Sequence, residues 1–497
     1  MDKSYAVIIR KYFEEHSIVE ANIKSFDRFM EKEMQNIVSE TEDIIPTIIP
    51  PDVQDYKIKL NKIWVTKPKI IEADGSTRDV YPMEARLRKL TYSSPLHLDV
   101  SAHIDGVQRD SFTTQIGKIP IMVRSKFCHL SGLSDQERIA QGEDPQDMGG
   151  YFILNGNERV LITVEDLASN RLLVEPTTGT SKYTGKLFSE SGSYRIPHLM
   201  EQLKDGIIYL SFTRFKRIPI VLIIKALGMT KDKDIVEAIT GDKHEFDEIV
   251  LNLYNMADVK TVSDAIEKLA KYFGITQAEQ RNERVFEALD KYLLPHIGVK
   301  PDARYIKAHT LCKLIKKYLM TTHGQILRGD KDHYLNKRLK LSGDLLSDLF
   351  RVNVRALVQD MLYNFQRLVK RGKFHSIKII IRDNLLTSRI QSSMATGSWV
   401  GGRKGISQNL DKTNFLATVS HTQRVVSLLS ATQENFAARA LHPTQWGRLD
   451  PIETPEGTPI GLRKNLAMLC DITSEIHPQD KIKKSLELYG LKGVGTK

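Results

Sequence analysis

Glu453 and Glu456 stand three residues apart in Glu453-Thr454-Pro455-Glu456-Gly457, shortly after His442-Pro443-Thr444-Gln445-Trp446-Gly447-Arg448. Proline and glycine pin such a backbone as a loop, which holds polar groups in fixed places instead of spreading them over a helix face. Paired acids are the pattern of glycoside hydrolysis, and a purely structural turn is the plainer alternative. A second stretch, Ala395 to Gly405, sets Trp399, Arg403 and Lys404 among glycines. Glycine freedom would let backbone amides and both cations close on a phosphate chain; a solvent loop without a ligand is the other possibility. A third stretch, Asp330-Lys331-Asp332-His333-Tyr334-Leu335-Asn336-Lys337-Arg338, lies between Arg328 and Lys340, and its bases outnumber its acids. It reads equally as a phosphate-facing surface or as a salt-bridged helix start.

Familiar catalytic signatures are missing from the sequence. There is no GxxxxGK(S/T) phosphate loop, no HExxH, no GxSxG and no GxGxxG. No DxDxD cluster is present to hold two magnesium ions, so any phosphoryl chemistry would take its metal from another chain. The three cysteines, Cys128, Cys312 and Cys470, are far apart and form no CxxC pair, which argues against a disulfide framework and a cysteine-rich zinc site. A reducing, cytoplasmic setting is expected. A chain of 497 residues with 41% hydrophobic and 27% charged residues can fill about three domains. Its formal charge of +11 favours acidic partners, nucleic acid first. Met1 to Glu15 lacks the apolar run of a signal peptide. The most apolar run, Ile218 to Ile224, contains Pro219 and is too short for a bilayer, so no membrane partner is expected.

The elements that must position these loops are partly visible. Phe26, Met30 and Ile37 recur at helical spacing, predicting an amphipathic packing helix from Ile23 to about Ser39. Tyr56, Ile58 and Leu60 alternate with polar residues as in a half-buried strand. Further strands are predicted at Arg86 to Tyr92, Ile119 to Arg124 and Tyr151 to Ile162. From about Pro176 to Ala308 the character changes. Small-residue patches at Thr177 to Gly185 and Ser189 to Ser193 lead into a strand at Ile207 to Phe212, and then into helical sequence in which Asp264 to Phe273 looks like solvated scaffold. The clearest helix follows Ser342, taken as its N-cap with Asp344 in the first turn. Val354, Val358, Met361, Phe365 and Leu368 form its apolar stripe, and Lys370, Arg371 and Gly372 close it.

These segments resemble the second-largest, β-like subunit of multisubunit DNA-directed RNA polymerase, in particular the N-terminal half that some archaeal enzymes carry as a separate polypeptide, the B'' form of the split subunit. Pro82-Met83-Glu84-Ala85-Arg86-Leu87-Arg88, Ile121 to Leu130 and Gly149 to Glu158 are similar to the protrusion of that family. Asp332-His333-Tyr334 with Asn336-Lys337-Arg338 resembles its DHYxNKR motif. Ala395 to Trp399, Gly405 to Gln408, and His442 through Gly461 look like its fork. The likeness runs from about Ile18 to Leu469 and is weakest through the lobe.

The resemblance implies an α+β multidomain fold: a first protrusion segment at 1–170, a helix-rich lobe with some strands at 171–325, a second protrusion segment at 326–390, the fork at 391–445 and the start of the external domain at 446–497. It implies a nucleotidyltransferase subunit that is inactive alone and walls the DNA and RNA cleft. The catalytic Mg2+ would be held by the largest subunit, with no cofactor and no metal on this chain. Lys337, Arg338, Arg403, Lys404 and Arg439 would contact nucleic acid, and Gln408, Asp411, His421 and Arg424 would line the RNA path and fork, where bacterial relatives bind rifamycins. Glu456 would lie near the active centre in a supporting role. Two positions depart from the pattern: Gln423 precedes Arg424 where an arginine pair is usual, and Asp450 replaces an apolar or cysteine residue. Implied partners are the C-terminal half of the same subunit (B'), the largest-subunit chains, other polymerase subunits, template DNA, the RNA transcript, and initiation and elongation factors. The hybrid-binding lysines and the zinc site of that C-terminal half are not in this sequence, as expected of a naturally split subunit or of a shortened piece. A stand-alone nucleic-acid scaffold is the competing expectation.

Overall fold

The protein is described here by a computed structural model covering residues 3–473, apart from 52, 178, 180, 193, 242–245, 276–279 and 373–375, together with residues 479–491. Parts of the two small-residue patches, and 474–478 and 492–497 of the last predicted domain, lie outside the described residues. The chain divides into two compact units, Met1–Asp166 with Arg338–Ile476, and Leu167–Lys337 with His477–Lys497. Small separate sheets and many helices make the whole an α+β protein.

The first unit is built on the predicted long helix, Ser342–Lys370, whose buried face includes Leu345, Val354, Leu357, Met361 and Phe365. It crosses the helix Glu20–Arg28 so closely that a β-carbon on Gly343 would fall 2.0 Å from the Ser25 carbonyl oxygen. Only glycine permits that approach. An ion pair between Arg28 and Asp344 at 2.7 Å holds the crossing. An antiparallel sheet of Tyr56–Val65, Ser93–Ile104 and Val107–Pro120 packs on the same core. Leu96, Leu98 and Val100 alternate inward from its central strand, the period expected of a one-sided sheet.

The structure corrects several sequence expectations in this unit. Ser342 is the first helical residue instead of the cap; Leu341 precedes the helix and donates its N–H to Asp344 at 3.1 Å, while the Ser342 hydroxyl donates to the Asn22 carbonyl at 3.2 Å. The Ile23–Ser39 helix begins at Glu20 and is widened by a π-turn at Phe29–Glu33. Arg86 to Tyr92 is not a strand. Pro82 starts a short helix that ends at Leu87, proline being pre-shaped for the first helical position. Lys89 then turns the chain with φ of 54°. The strand expected at Ile119–Arg124 stops at Pro120, beyond which a buried turn continues.

The second unit opens with a five-stranded antiparallel meander, Leu173–Pro176, Tyr183–Ser191, Tyr194–Gln202, Ile208–Phe212 and Phe215–Pro219, in which sequence neighbours are also spatial neighbours. Helices from Ile220 to Thr322 cover it and share its core. Within them, Val262–Phe273 is more than solvated scaffold. Ala265, Ile266, Leu269, Ala270 and Phe273 form a buried stripe, and Thr261 with Asp264 makes a reciprocal cap. Among the described residues no helix is long and apolar enough to cross a membrane.

Candidate nucleic-acid interface

Two small sheets of the first unit carry the candidate residues. In one, Ser407–Asn409 pairs with Asn157–Leu161, which pairs with Phe152–Leu154. In the other, Arg424–Ser427 lies between Thr163–Leu167, in parallel, and Arg463–Asn465, antiparallel. The helix Phe415–Thr422, capped by the Asn414 side chain at 2.7 Å from the Ala417 nitrogen, links the two.

That helix places His421 against Gln408 and Asp411. The Asp411 backbone N–H donates to His421 Nδ1 at 3.0 Å, and His421 Nε2 lies 3.2 Å from Gln408 Oε1. An imidazole that accepts at Nδ1 carries its proton on Nε2 and donates to Gln408, so the neutral ring satisfies both contacts. Burial, and then the neighbouring cation Arg424, push the His421 pKa down to about 4. Asp411 is held below the usual carboxylate range by hydrogen bonds from the Thr413 hydroxyl and N–H. The structure therefore brings together Gln408, Asp411 and His421, with Arg424 beside them.

The remaining candidates are arranged differently. Arg439 ends a short helix, Phe436–Arg439, and its guanidinium donates to the carbonyls of Thr458 at 2.6 Å, Ile460 at 3.0 Å, Ala431 at 2.7 Å and Gln433 at 3.2 Å. It ties two loops together. Arg403 faces Asp166 at 3.0 Å and Asp348 at 3.7 Å, and the Trp399 indole donates to the Leu345 carbonyl at 2.8 Å. The glycine-rich stretch expected to be mobile is thus anchored at both aromatic and cation. Lys404 is exposed and makes no hydrogen bond or ion pair with described residues. Lys337 lies 3.8 Å from Asp332 and over the Tyr334 ring, and Arg338 is exposed. Glu456 is exposed on its loop, whereas the Glu453 carboxylate accepts from the Ser420 hydroxyl. Among the described residues no group of three or more His, Cys, Asp or Glu is placed to hold a metal ion.

The sequence did not single out two further features. Arg86 is the hub of a buried cluster, donating to Glu158 and Glu143, each at 2.7 Å, and to the Tyr151 hydroxyl at 2.7 Å. Lys412 joins Glu158 at 2.6 Å, and the Glu158 carbonyl accepts from Leu410 at 2.9 Å, so the cluster buttresses the strand that presents Gln408. The second feature is Lys464, buried against Glu165 at 3.0 Å. Both depend on carboxylates hundreds of positions away or in another loop, and local spacing carries no signal for such pairs.

Residues 17–388 match the family described as RNA polymerase beta subunit, and residues 408–472 match that described as RNA polymerase Rpb2, domain 3. The chain is 42% identical over 495 residues to DNA-directed RNA polymerase subunit Rpo2N of Methanocaldococcus jannaschii, covering 97% of this chain and 98% of that protein. It is 39% identical over 497 residues to Rpo2N of Halobacterium salinarum, covering 97% and 95%. Against Rpo2 of Saccharolobus shibatae it is 40% identical over 488 residues but spans only 43% of that longer relative. The chain belongs to the RNA polymerase beta subunit family and is a subunit of DNA-directed RNA polymerase. In extent it corresponds to the shorter archaeal relatives, those named Rpo2N.

Proposed function

We propose that this subunit forms one wall of the DNA and RNA cleft and part of the surroundings of the active centre, and leaves bond-making to a Mg2+ held by the largest subunit. In this reading 1–170 and 326–390 are the protrusion, 171–325 the lobe, 391–445 the fork and 446–497 the start of the external domain. The observation that carries it is the uneven treatment of cations in the first unit. Arg86, Arg403 and Lys464 are matched by carboxylates, whereas the side chains of Lys404, Arg424 and Arg463 make no hydrogen bond or ion pair with described residues. Cations without a directly paired carboxylate beside ordered loops suit a phosphate backbone, which is gripped without reading sequence. Gln408, Asp411 and His421 supply a neutral, polar lining next to them, and Glu456 projects from a loop that the Arg439 fork holds in place.

Leu441, Trp446, Ile452 and Leu469 are all more than half exposed near the fork. Apolar surface of this extent calls for a covering chain, and the C-terminal half of the subunit is the candidate. The largest-subunit chains, DNA, RNA and transcription factors would complete the assembly. Affinity purification of the tagged chain from its native source tests the proposal. Recovery with largest-subunit chains is expected, and a lone soluble species would defeat it in favour of a stand-alone scaffold.

A further inference from the structure

The loop bearing Glu453 and Glu456 is tied to its surroundings through the first of these acids and not the second. Asp450, one of the two positions that depart from the family pattern, turns its side chain onto the backbone that follows it. Its Oδ1 accepts the N–H groups of Ile452 at 2.8 Å and of Glu453 at 3.2 Å. The Glu453 carboxylate in turn accepts from the Ser420 hydroxyl. Ser420 is itself gripped by the buried Asn465, whose Nδ2 donates to the Ser420 hydroxyl oxygen at 2.9 Å and to its carbonyl at 3.0 Å. The Asn465 carbonyl accepts from the Asp450 N–H at 2.9 Å, which brings the path back to its start. Asp450, Glu453, Ser420 and Asn465 therefore form a closed ring of hydrogen bonds joining the loop to the helix Phe415–Thr422 and the strand Arg463–Asn465.

Moving any member of a closed ring disturbs two contacts at once, so each side chain is held by more than its own bond. Glu453 also lines a cavity of about 380 Å³ with Arg424 and Arg463, yet among the described residues its carboxylate takes the Ser420 hydroxyl and neither guanidinium. The loop is tied a second time where the Thr454 hydroxyl donates to the Arg463 carbonyl at 3.0 Å and accepts from the Gly461 N–H at 2.9 Å. Between Thr454 and Gly461 stands Glu456, exposed, its side chain making no hydrogen bond or ion pair with described residues. One acid is thus a strut and the other is left available, and the ring decides which is which.

We propose that Asp450 and Ser420 are positioning residues for nucleotide addition: acting through Glu453, they set the loop so that Glu456 is the acid it presents to the active centre. The proposal rests on the cleft-wall reading and adds to it a structural part for Glu453. It also gives Asp450 a task that an apolar residue at that position could not perform, since the task needs an oxygen that accepts two N–H groups.

Polymerase is assembled with the natural chain, with Asp450→Ala, Asp450→Asn, Ser420→Ala and Ser420→Thr, and with each alanine change combined with Glu456→Ala. Opening the ring at either node should lower kcat for nucleotide addition about tenfold, the scale of a small misplacement beside reacting groups, and leave nucleotide KM within about twofold. Asn keeps the accepting oxygen and Thr keeps the hydroxyl, so Asp450→Asn and Ser420→Thr should restore most of kcat. Once Glu456→Ala is present, neither alanine change should slow the enzyme further, because no acid is left to position. The two nodes lie on different elements, so if one alanine variant does not assemble the other carries the test. Alanine variants with unchanged kcat, or losses that add in full to that of Glu456→Ala, overturn the proposal and leave the cleft-wall reading standing. If Glu456→Ala alone matches the natural polymerase in kcat and KM, the placement of Glu456 near the active centre fails, and the proposal fails with it.

Discussion

Gly461 lies directly against the backbone of Arg439: a β-carbon on Gly461 would stand 2.2 Å from the Arg439 carbonyl oxygen, and its φ of +72° belongs to the left-handed region. The Arg439 guanidinium meanwhile clasps the carbonyls of Thr458 and Ile460 just before that glycine. Close approach and clasp together set the path of the loop that carries Glu453 and Glu456.

Gly461→Ala should therefore displace that loop, through steric overlap and unfavourable φ together, at a cost of roughly 2–4 kcal/mol. In assembled polymerase the expected outcome is slower nucleotide addition and faster amide exchange over 453–461, with exchange in the long helix Ser342–Lys370 unchanged.

Arg439→Lys keeps the charge but cannot reach four carbonyls, because an ammonium has no planar fork. If Arg439 acts by clasping loops, Lys should behave nearly as badly as Gln in exchange over 431–433 and 458–460. Retention of the natural protection by Lys would point to a role for the charge alone.

Burial, with the cation Arg424 beside it, lowers the pKa of His421 from the ordinary imidazole value of 6.5 to about 4. Between these values the unfolded state binds a proton that the folded state does not, so the stabilisation is complete above about 6.5 and is lost as pH falls toward 4. Thermal unfolding of the assembled protein should show this loss. His421→Gln, which cannot titrate, should flatten the part of the profile due to this residue, and an unchanged profile would rule out the neutral-ring geometry.

The Lys464–Glu165 pair is buried on both sides. Lys464→Met alone should cost about 3–5 kcal/mol by leaving a carboxylate without its partner, whereas Lys464→Met with Glu165→Leu should recover most of that loss. A double-mutant cycle on denaturation midpoints measures the difference. Additive losses would mean that the pair does not couple.

Arg86→Met should likewise expose the Glu143 and Glu158 carboxylates to an apolar neighbour and loosen the strand Ser407–Asn409. Amide exchange at 407–410 reports it, and no change there would separate the cluster from the strand it is held to buttress.

Much of the architecture could be read from residue order alone, because it rests on short-range periodicity. The apolar stripe of Ser342–Lys370 and the alternation from Tyr56 are local patterns with fixed repeat lengths, whereas the single strand expected over Tyr151 to Ile162 is a hairpin, Phe152–Leu154 with Asn157–Leu161, turning at Asn155-Gly156. Local pattern failed where a side chain had a distant partner. Ser342 looks like a cap until Asn22 takes its hydroxyl, and Arg86 looks like part of a strand until Glu143 and Glu158 surround it.

The fork loops divide in the same way. Their glycines, prolines, cations and carboxylates are legible, and so is their likeness to the polymerase family. Whether a given cation is free or matched was decided only by tertiary structure. Arg403, Arg439 and Lys464 found acids or carbonyls, and Arg424 and Arg463 were left facing a cavity. Charge is a property of the residue, but its neutralisation depends on which face of a strand it occupies and what the rest of the chain brings to that face.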